Sequence, residues 1–390
     1  EKNLAKLIIE GEEYIIKKRS WSKIIRVKFK PYIFAEIYGT VSFYLESVEP
    51  FKMFMSSLQI DPEKQFIDIT YPREYGKELL DNIGIFYTLG MPEDTNAVKE
   101  GFLTKKAFLE EIKEIENQRE KMFWYEFNKF KTGVLAFVFD AGDRLKHIFW
   151  KNDIIKENNK NLPREIEQYY LEKDKFISKV LSRLDKKTKL IIFSDHGFGD
   201  FKKQVNINLW LVNEGYMKIR KEGGDLFEFV DWSNTYAYAV GFNSIYINQK
   251  GREGKGIVNK GEKEDIMKEI INKLKKFKDG SKYIFTNIYK SSDIYNGKYL
   301  DLAPDIVLGF SWGYRMSWKS AIGSLDKKII FINKDKWQGD HLIDRIHVPG
   351  VIFTNFNIQK NKPNIMDIAP TILKLLNIRV PSYIDGEPLI

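Results

Sequence analysis

A chain of 390 residues is long enough for one large domain with insertions or for two domains, and its 43% hydrophobic and 30% charged residues are those of an ordinary folded protein. No apolar run nears the roughly 18 residues that cross a bilayer, so the sequence excludes a membrane-spanning helix. Lys+Arg exceed Asp+Glu by 63 to 54, a formal charge of +9 spread thinly over the chain, which suits a small anionic substrate and, with no dense basic block interleaved with aromatics, argues against nucleic acid.

Residues 1 to about 72 read mostly as strands. Arg26-Val27-Lys28-Phe29 alternates, Val41, Phe43 and Leu45 share one parity, and Phe51, Met53 and Met55 form a further run, with Gly39 and Pro50 as punctuation. This pattern predicts an antiparallel accessory layer. A short helix is predicted near Tyr75 to Ile83, stopped by Gly84. A long helix follows from Thr104 as N-cap to about Phe130, where Phe108, Ile112, Ile115, Met122, Phe123 and Phe127 recur at three- or four-residue spacing, with gaps.

The pattern then changes to strand–helix alternation. Val134 to Phe139 and Leu190 to Phe193 read as buried strands, apolar on both faces as in a parallel sheet. Shorter strands are predicted at Ser244 to Asn248, Ile306 to Leu308, Ile329 to Ile332 and Val351 to Thr354. Phe176, Ile177, Val180, Leu181 and Leu184 give one helix its apolar face. Further helices are predicted over 263–279, closed by Gly280, and over 367–377, with Asp367 as N-cap and Pro370 in the first turn. The alternation predicts an α/β fold with a mostly parallel central sheet and helices on both faces.

Cysteine is absent, which excludes disulfides, a thiolate nucleophile and cysteine-based zinc sites, and fits a reducing compartment. Nothing at the start resembles a targeting segment, so a cytoplasmic location is favoured. A metal would have to be held by Asp, Glu or His. The four histidines therefore repay inspection one by one. Asp143 and His147 stand four apart, a spacing that puts an oxygen and a nitrogen donor on one helix face; Asp140 competes for the same role, and only the spacing favours Asp143. Asp195 and His196 sit side by side in Ser194-Asp195-His196-Gly197, at the end of a predicted strand. His341 follows Gly339-Asp340 just before another one. His347 has no such setting and reads as structural. Tyr314, Arg315, Asn206 and Asn208 offer polar groups for a substrate pocket, but surface polar residues would look the same.

In this order the motifs Asp-x-x-x-His, Ser-Asp-His-Gly and Gly-Asp-His resemble the alkaline phosphatase superfamily, and more closely its type I phosphodiesterase/nucleotide pyrophosphatase family. Supporting stretches are Phe149-Trp150 after the first motif, Ala303-Pro304-Asp305, Asp367-Ile368-Ala369-Pro370-Thr371 and Asp385-Gly386. The resemblance runs from about Trp21 to the C-terminus. It implies an alkaline-phosphatase-like fold, with a β-rich accessory region over 1–103 and the C-terminal part of an α/β metal-binding catalytic domain over 104–390. It also implies a two-metal phosphoester hydrolase. One cation would be held by Asp143, His147 and His341, and the other by Asp195, His196 and two N-terminal groups, an Asp and a Thr or Ser nucleophile. The ions would be zinc, with manganese as the alternative. Residues 1–72 offer no matching strand; Asp61 and Asp68 are candidates on paper only. The resemblance therefore implies a chain that lacks the family's N-terminal segment and its nucleophile, so no catalytic residue is assigned. A phosphoglycerate-mutase-like phosphotransferase would share these ligands, and a metal-binding module without turnover would need no nucleophile.

Overall fold

Short alternating runs dominate the first 60 residues and fold as antiparallel ladders. The computed structural model describes residues 3–32, 35–151, 162–220 and 224–390. The chain divides into two units: the first spans Glu1–Ile148, Glu165–Glu172 and Ala369–Pro388, and the second Phe149–Arg164, Lys173–Ile368 and Leu389–Ile390.

In unit one, β1 (Leu4–Ile9) pairs with β2 (Glu12–Lys17). β3 (Ser20–Trp21), β4 (Ile25–Tyr32), β5 (Ala35–Val41), β6 (Phe43–Ser47), β7 (Lys52–Met55) and β8 (Gln59–Ile60) form two sheets, ordered β3-β6-β7 and β4-β5-β8. Val41, Tyr44 and Leu45 are buried, and because Tyr44 and Leu45 are neighbours on opposite faces of β6, that strand is covered on both sides. The predicted helices appear as α1 (Tyr75–Ile83) and, after α2 (Thr95–Glu100), as α3 (Lys105–Lys129). Gly84 ends α1 at φ +83°, a conformation that suits a residue without Cβ. The Thr104 hydroxyl accepts the Ala107 N–H at 3.2 Å and caps α3, whose Phe108, Ile112 and Ile115 are buried. Trp21 donates its indole N–H to the Ala107 carbonyl at 3.0 Å, docking β3 onto this helix. A fourth helix, α4, covers Ala141–Phe149.

The run Val134 to Phe139 is not the buried strand its composition suggests. It joins no ladder among the described residues, and Val134 and Val138 are 53% and 77% exposed. Its alternation does operate: Phe137 and Phe139 turn to Phe123 of α3, with ring centroids 5.6 and 6.3 Å away. Apolar residues on both faces permit a central strand, but hydrogen-bonding neighbours make one.

Further along come α5 (Arg164–Arg183), β9 (Ile191–Phe193), β10 (Gly199–Val205), α6 (Ile207–Asn213), β11 (Ala237–Ala239) and β12 (Ser244–Ile247). Next are α7 (Lys260–Lys276), β13 (Lys278–Asp279), β14 (Lys282–Tyr283), β15 (Phe285–Lys290) and α8 (Ser291–Ile294). β16 (Ile306–Phe310), β17 (Gly313–Met316), α9 (Trp318–Ala321), β18 (Ile330–Ile332), β19 (Gly339–Asp340), β20 (Ile352–Thr354) and α10 (Ile368–Leu375) complete the chain. In unit two, one sheet runs β11-β12-β16-β15 and another β17-β10-β18, with β19 also on β10, while β9 pairs with β20 alone.

The architecture is thus mixed α/β, as expected, but its ladders are mostly antiparallel. Among the named strands, β10 and β17 run parallel. The expected mostly parallel sheet required a crossover between successive strands, and several connections are too short for one. β11 and β12 are joined by a tight turn, as are β13 and β14, and such links make antiparallel hairpins. β9 is likewise half-exposed rather than buried, with Phe193 46% exposed. Gly280, expected to close a helix, instead forms the β13–β14 turn at φ +61°. Asp367 directly precedes α10, and its carboxylate accepts the N–H of Asn364 at 2.8 Å. The core of unit two packs Ile270 and Leu274 of α7 and Trp210 of α6 against Ile245, Ile306 and Leu308. Lys268, Lys273, Lys275 and Lys276 lie away from this core on the wetter face of α7, and Lys278 belongs to β13. No helix among the described residues is long and apolar enough to cross a membrane.

Candidate metal centre

In unit one the first donor pair rides on α4. Ala141, Leu145 and Ile148 form its buried stripe. Asp143 in the first turn and His147 in the last share another face, and His147 Nε2 lies 3.3 Å from Asp143 Oδ2. His147 is itself buried. The turn into α4 is held from α3, where the Arg119 guanidinium bonds the Asp140 carboxylate and lies 3.3 Å from Glu93 Oε1. Asp140 is thus engaged by Arg119, while Asp143 shares a face with His147. Gly142 lets Tyr169 lie against the helix, since a Cβ there would come within 2.8 Å of the ring. Burial pushes the carboxyls of Glu93, Asp94 and Glu111 up in this unit.

In unit two the loop after β9 carries the second pair. His196 Nδ1 lies 2.9 Å from the Gly197 carbonyl oxygen, and its Nε2 lies 3.4 Å from Asp195 Oδ2. An imidazole whose Nδ1–H is donated to a carbonyl presents the Nε2 lone pair, the usual arrangement of a metal-ligating histidine. The loop is clamped by close backbone approaches. A Cβ on Gly197 would lie 2.7 Å from the Pro349 carbonyl oxygen, and one on Gly350 2.6 Å from that of Ser194. Ser194 is occupied structurally, its hydroxyl accepting the Val351 N–H at 3.0 Å. The motif glycine is thus required by packing.

His341 reaches the same place through β19. The register Gly199↔Asp340 and Asp200↔Gly339 sets the two segments side by side. The imidazoles of His196 and His341 stack with centroids 3.6 Å apart and planes 11° apart. Phe198 lies beside both rings, and Gly339 leaves room for Trp150, which its Cβ would meet at 2.7 Å. The fully buried Asp200 fixes this frame by accepting the indole N–H groups of Trp150 at 2.9 Å and Trp312 at 3.1 Å. The two stacked imidazoles and the Asp195 carboxylate bring nitrogen and oxygen donors, the atom types that bind divalent cations, to this part of unit two.

The remaining candidates hold structure together. Asp61 is buried and paired with Arg26 at 3.1 Å, and Asp68 pairs with Arg73; neither ends a strand that leads into a helix. His347 bonds the Thr286 hydroxyl at 2.7 Å, in keeping with a structural role. Asn206 caps α6, and Asn208 donates to the Ala239 carbonyl at 2.8 Å. The Tyr314 hydroxyl donates to Asp279 at 2.9 Å; burial first, and then this bond and the Asp279 charge, push its pKa up to about 12. Asp305 centres a buried ionic knot with Arg252 at 2.6 Å and Lys263 at 2.6 Å. Sequence reasoning missed the parts played by Arg315 and Asp340, whose signal was only the Asp preceding His341.

The family model for type I phosphodiesterase / nucleotide pyrophosphatase matches residues 68–341, well over half of the chain. Comparisons with curated proteins and with solved structures found no match.

Proposed function

We propose that this chain, which belongs to the type I phosphodiesterase/nucleotide pyrophosphatase family of the alkaline phosphatase superfamily, is a hydrolase of small anionic phosphoesters that works with two divalent cations. The family resemblance assigns Asp143, His147 and His341 to one cation, and Asp195 and His196 to the other. The ions are zinc, with manganese as the alternative for the same oxygen and imidazole donors. Once bound, they would neutralise charge on the phosphoryl oxygens and on the attacking and leaving oxygens.

The observation that carries this reading is the His196–His341 stack, together with the Nδ1 contact that turns His196 Nε2 toward Asp195. A surface turn capped by Asp would need neither a second imidazole against the first nor a glycine clamp beneath it. The chain's residues have three tasks in this reading. His147 and His196 present ring nitrogens, Asp143 and Asp195 supply negative charge, and Phe198 covers the imidazoles on one side. The net positive charge of the chain favours encounter with anionic substrates.

Hydrolysis of bis-p-nitrophenyl phosphate and p-nitrophenyl phosphate, each with and without a chelator, tests the proposal. With no nucleophile assigned among these residues, the expected result is that any diesterase activity exceeds the monoesterase activity, vanishes with chelator and returns with added zinc or manganese, and that zinc still binds the folded chain where turnover is absent. Activity indifferent to chelation in a folded chain would overturn it.

A further inference from the structure

Asp340 stands next to a proposed ligand, yet both its oxygens are turned into the protein and it is fully buried. Oδ1 accepts the backbone N–H of His341 at 2.8 Å and that of Leu342 at 2.9 Å. Oδ2 accepts the Trp337 indole N–H at 2.8 Å and lies 2.9 Å from Arg315 Nε. The guanidinium is as deeply buried as the carboxylate. Its central carbon lies 4.0 Å from the Trp318 ring, 4.3 Å from Phe242 and 4.8 Å from Phe201.

A buried ion pair is a poor stabilising device, because desolvation of both charges offsets their attraction and an apolar pair of the same volume does as well. This one is also incompletely satisfied: Arg315 Nη1 has no hydrogen-bond partner among the described residues. What the pair does accomplish is local. The two N–H groups bonded to Oδ1 belong to His341 and the residue after it, so the carboxylate closes an Asx-type turn around the backbone that carries the stacked imidazole.

We infer that Asp340 is a positioning residue that sets His341 against His196 through those two main-chain bonds, with Arg315 as its counter-ion and Trp337 as its second anchor. The inference rests on the proposed metal reading in one respect: it makes the affinity of the cation at His341 depend on Asp340, which does not touch the cation.

The test uses the full chain in four forms: wild type, D340A, D340N and D340N/R315M. Zinc affinity is measured by competition with a chromophoric chelator, and hydrogen exchange is followed on the peptide containing His341 and Leu342. D340A is expected to lose zinc affinity at least 30-fold and to exchange those two amides at least 30-fold faster. Asn keeps the Oδ1 acceptor but sets an amide N–H₂ against the Arg315 and Trp337 donors, so D340N falls between. D340N/R315M removes the unpaired charge and is expected to return within about threefold of wild type in both measurements. A purely structural role would lower the melting temperature of D340A while leaving affinity and the two amides unchanged, and that result would overturn the inference. If D340A fails to fold, the double variant decides: affinity and protection near wild type support the inference, and their loss in a folded chain overturns it. A wild type that binds no zinc would defeat the metal reading alone, and the exchange of His341 and Leu342 would still decide whether Asp340 holds this turn.

Discussion

The two units obtain their donor pairs in opposite ways. In unit one, Asp143 and His147 come together because a single helix repeats every 3.6 residues; once α4 forms, they share a face. In unit two, His196 and His341 are far apart in sequence and meet because β19 lies on β10 in one register and glycines admit the close approaches beneath them. The first pair needs local structure only. The second depends on tertiary packing at several points. A helical pair should therefore tolerate change in its surroundings, whereas the stacked pair should fail when its distant supports are altered.

The largest expected effect comes from breaking a support of unit two far from any donor. D305A leaves Arg252 and Lys263 without the carboxylate that centres their knot, and should lower the stability of unit two by about 3 kcal/mol, a typical value for one partner removed from a buried pair. Denaturant unfolding, with hydrogen exchange to show that the loss falls on residues 237–310, checks this. Next comes G197A, whose added methyl meets the Pro349 carbonyl oxygen at 2.7 Å, a backbone atom that cannot swing aside. It should cost about 1–3 kcal/mol and speed exchange in the loop after β9, leaving α4 unchanged. In unit one, T104A removes the cap of α3 and should cost about 1 kcal/mol, with fraying confined to the first turn of that helix.

The smallest effect carries a pH signature. Burial holds the Glu111 carboxyl well above its ordinary 4.5 in the folded chain. The native state therefore binds more protons there than the unfolded state, and this contribution to stability falls as pH rises from about 4.5 through the raised value. E111Q mimics the protonated form and keeps an acceptor for the Asp94 N–H. Its melting temperature should exceed that of wild type by about 2–4 °C at pH 7, and the gain should disappear near pH 4, which thermal melts across this range will show. An equal gain at both pH values would mean that the buried charge is not the cause.

How much was legible in the sequence follows the same division. Local signals carried through: Gly84 after α1, Thr104 before α3 and the Asp143–His147 spacing all depend on neighbours within a few residues. Long-range pairing did not. Val134 to Phe139 looks like a central strand, yet the ladder partners that would make it one are not specified by its own residues. Connection length, not apolarity, decided that β11 and β12 run antiparallel. The unit-two site was visible as separate motifs, since Asp195-His196 and Gly339-Asp340-His341 stand out individually. Their union was not, because it depends on one β10–β19 register and on Gly339 making room for Trp150. Arg315 was the hardest to place. As an arginine in a polar-looking stretch it reads as a pocket or surface residue, and only its burial among three rings reveals it as the partner of Asp340.

The central claim is that the donors of the two units serve bound cations. It is tested most directly by zinc and manganese content, measured by inductively coupled plasma mass spectrometry after dialysis, in wild type, D143A, H341A and D195A, with circular dichroism to confirm folding. The account predicts at least one divalent cation per wild-type chain, lost in both D143A and H341A, and weaker retention of a second cation in D195A. Wild-type metal content retained in H341A, or a folded wild-type chain that retains no metal, would contradict it.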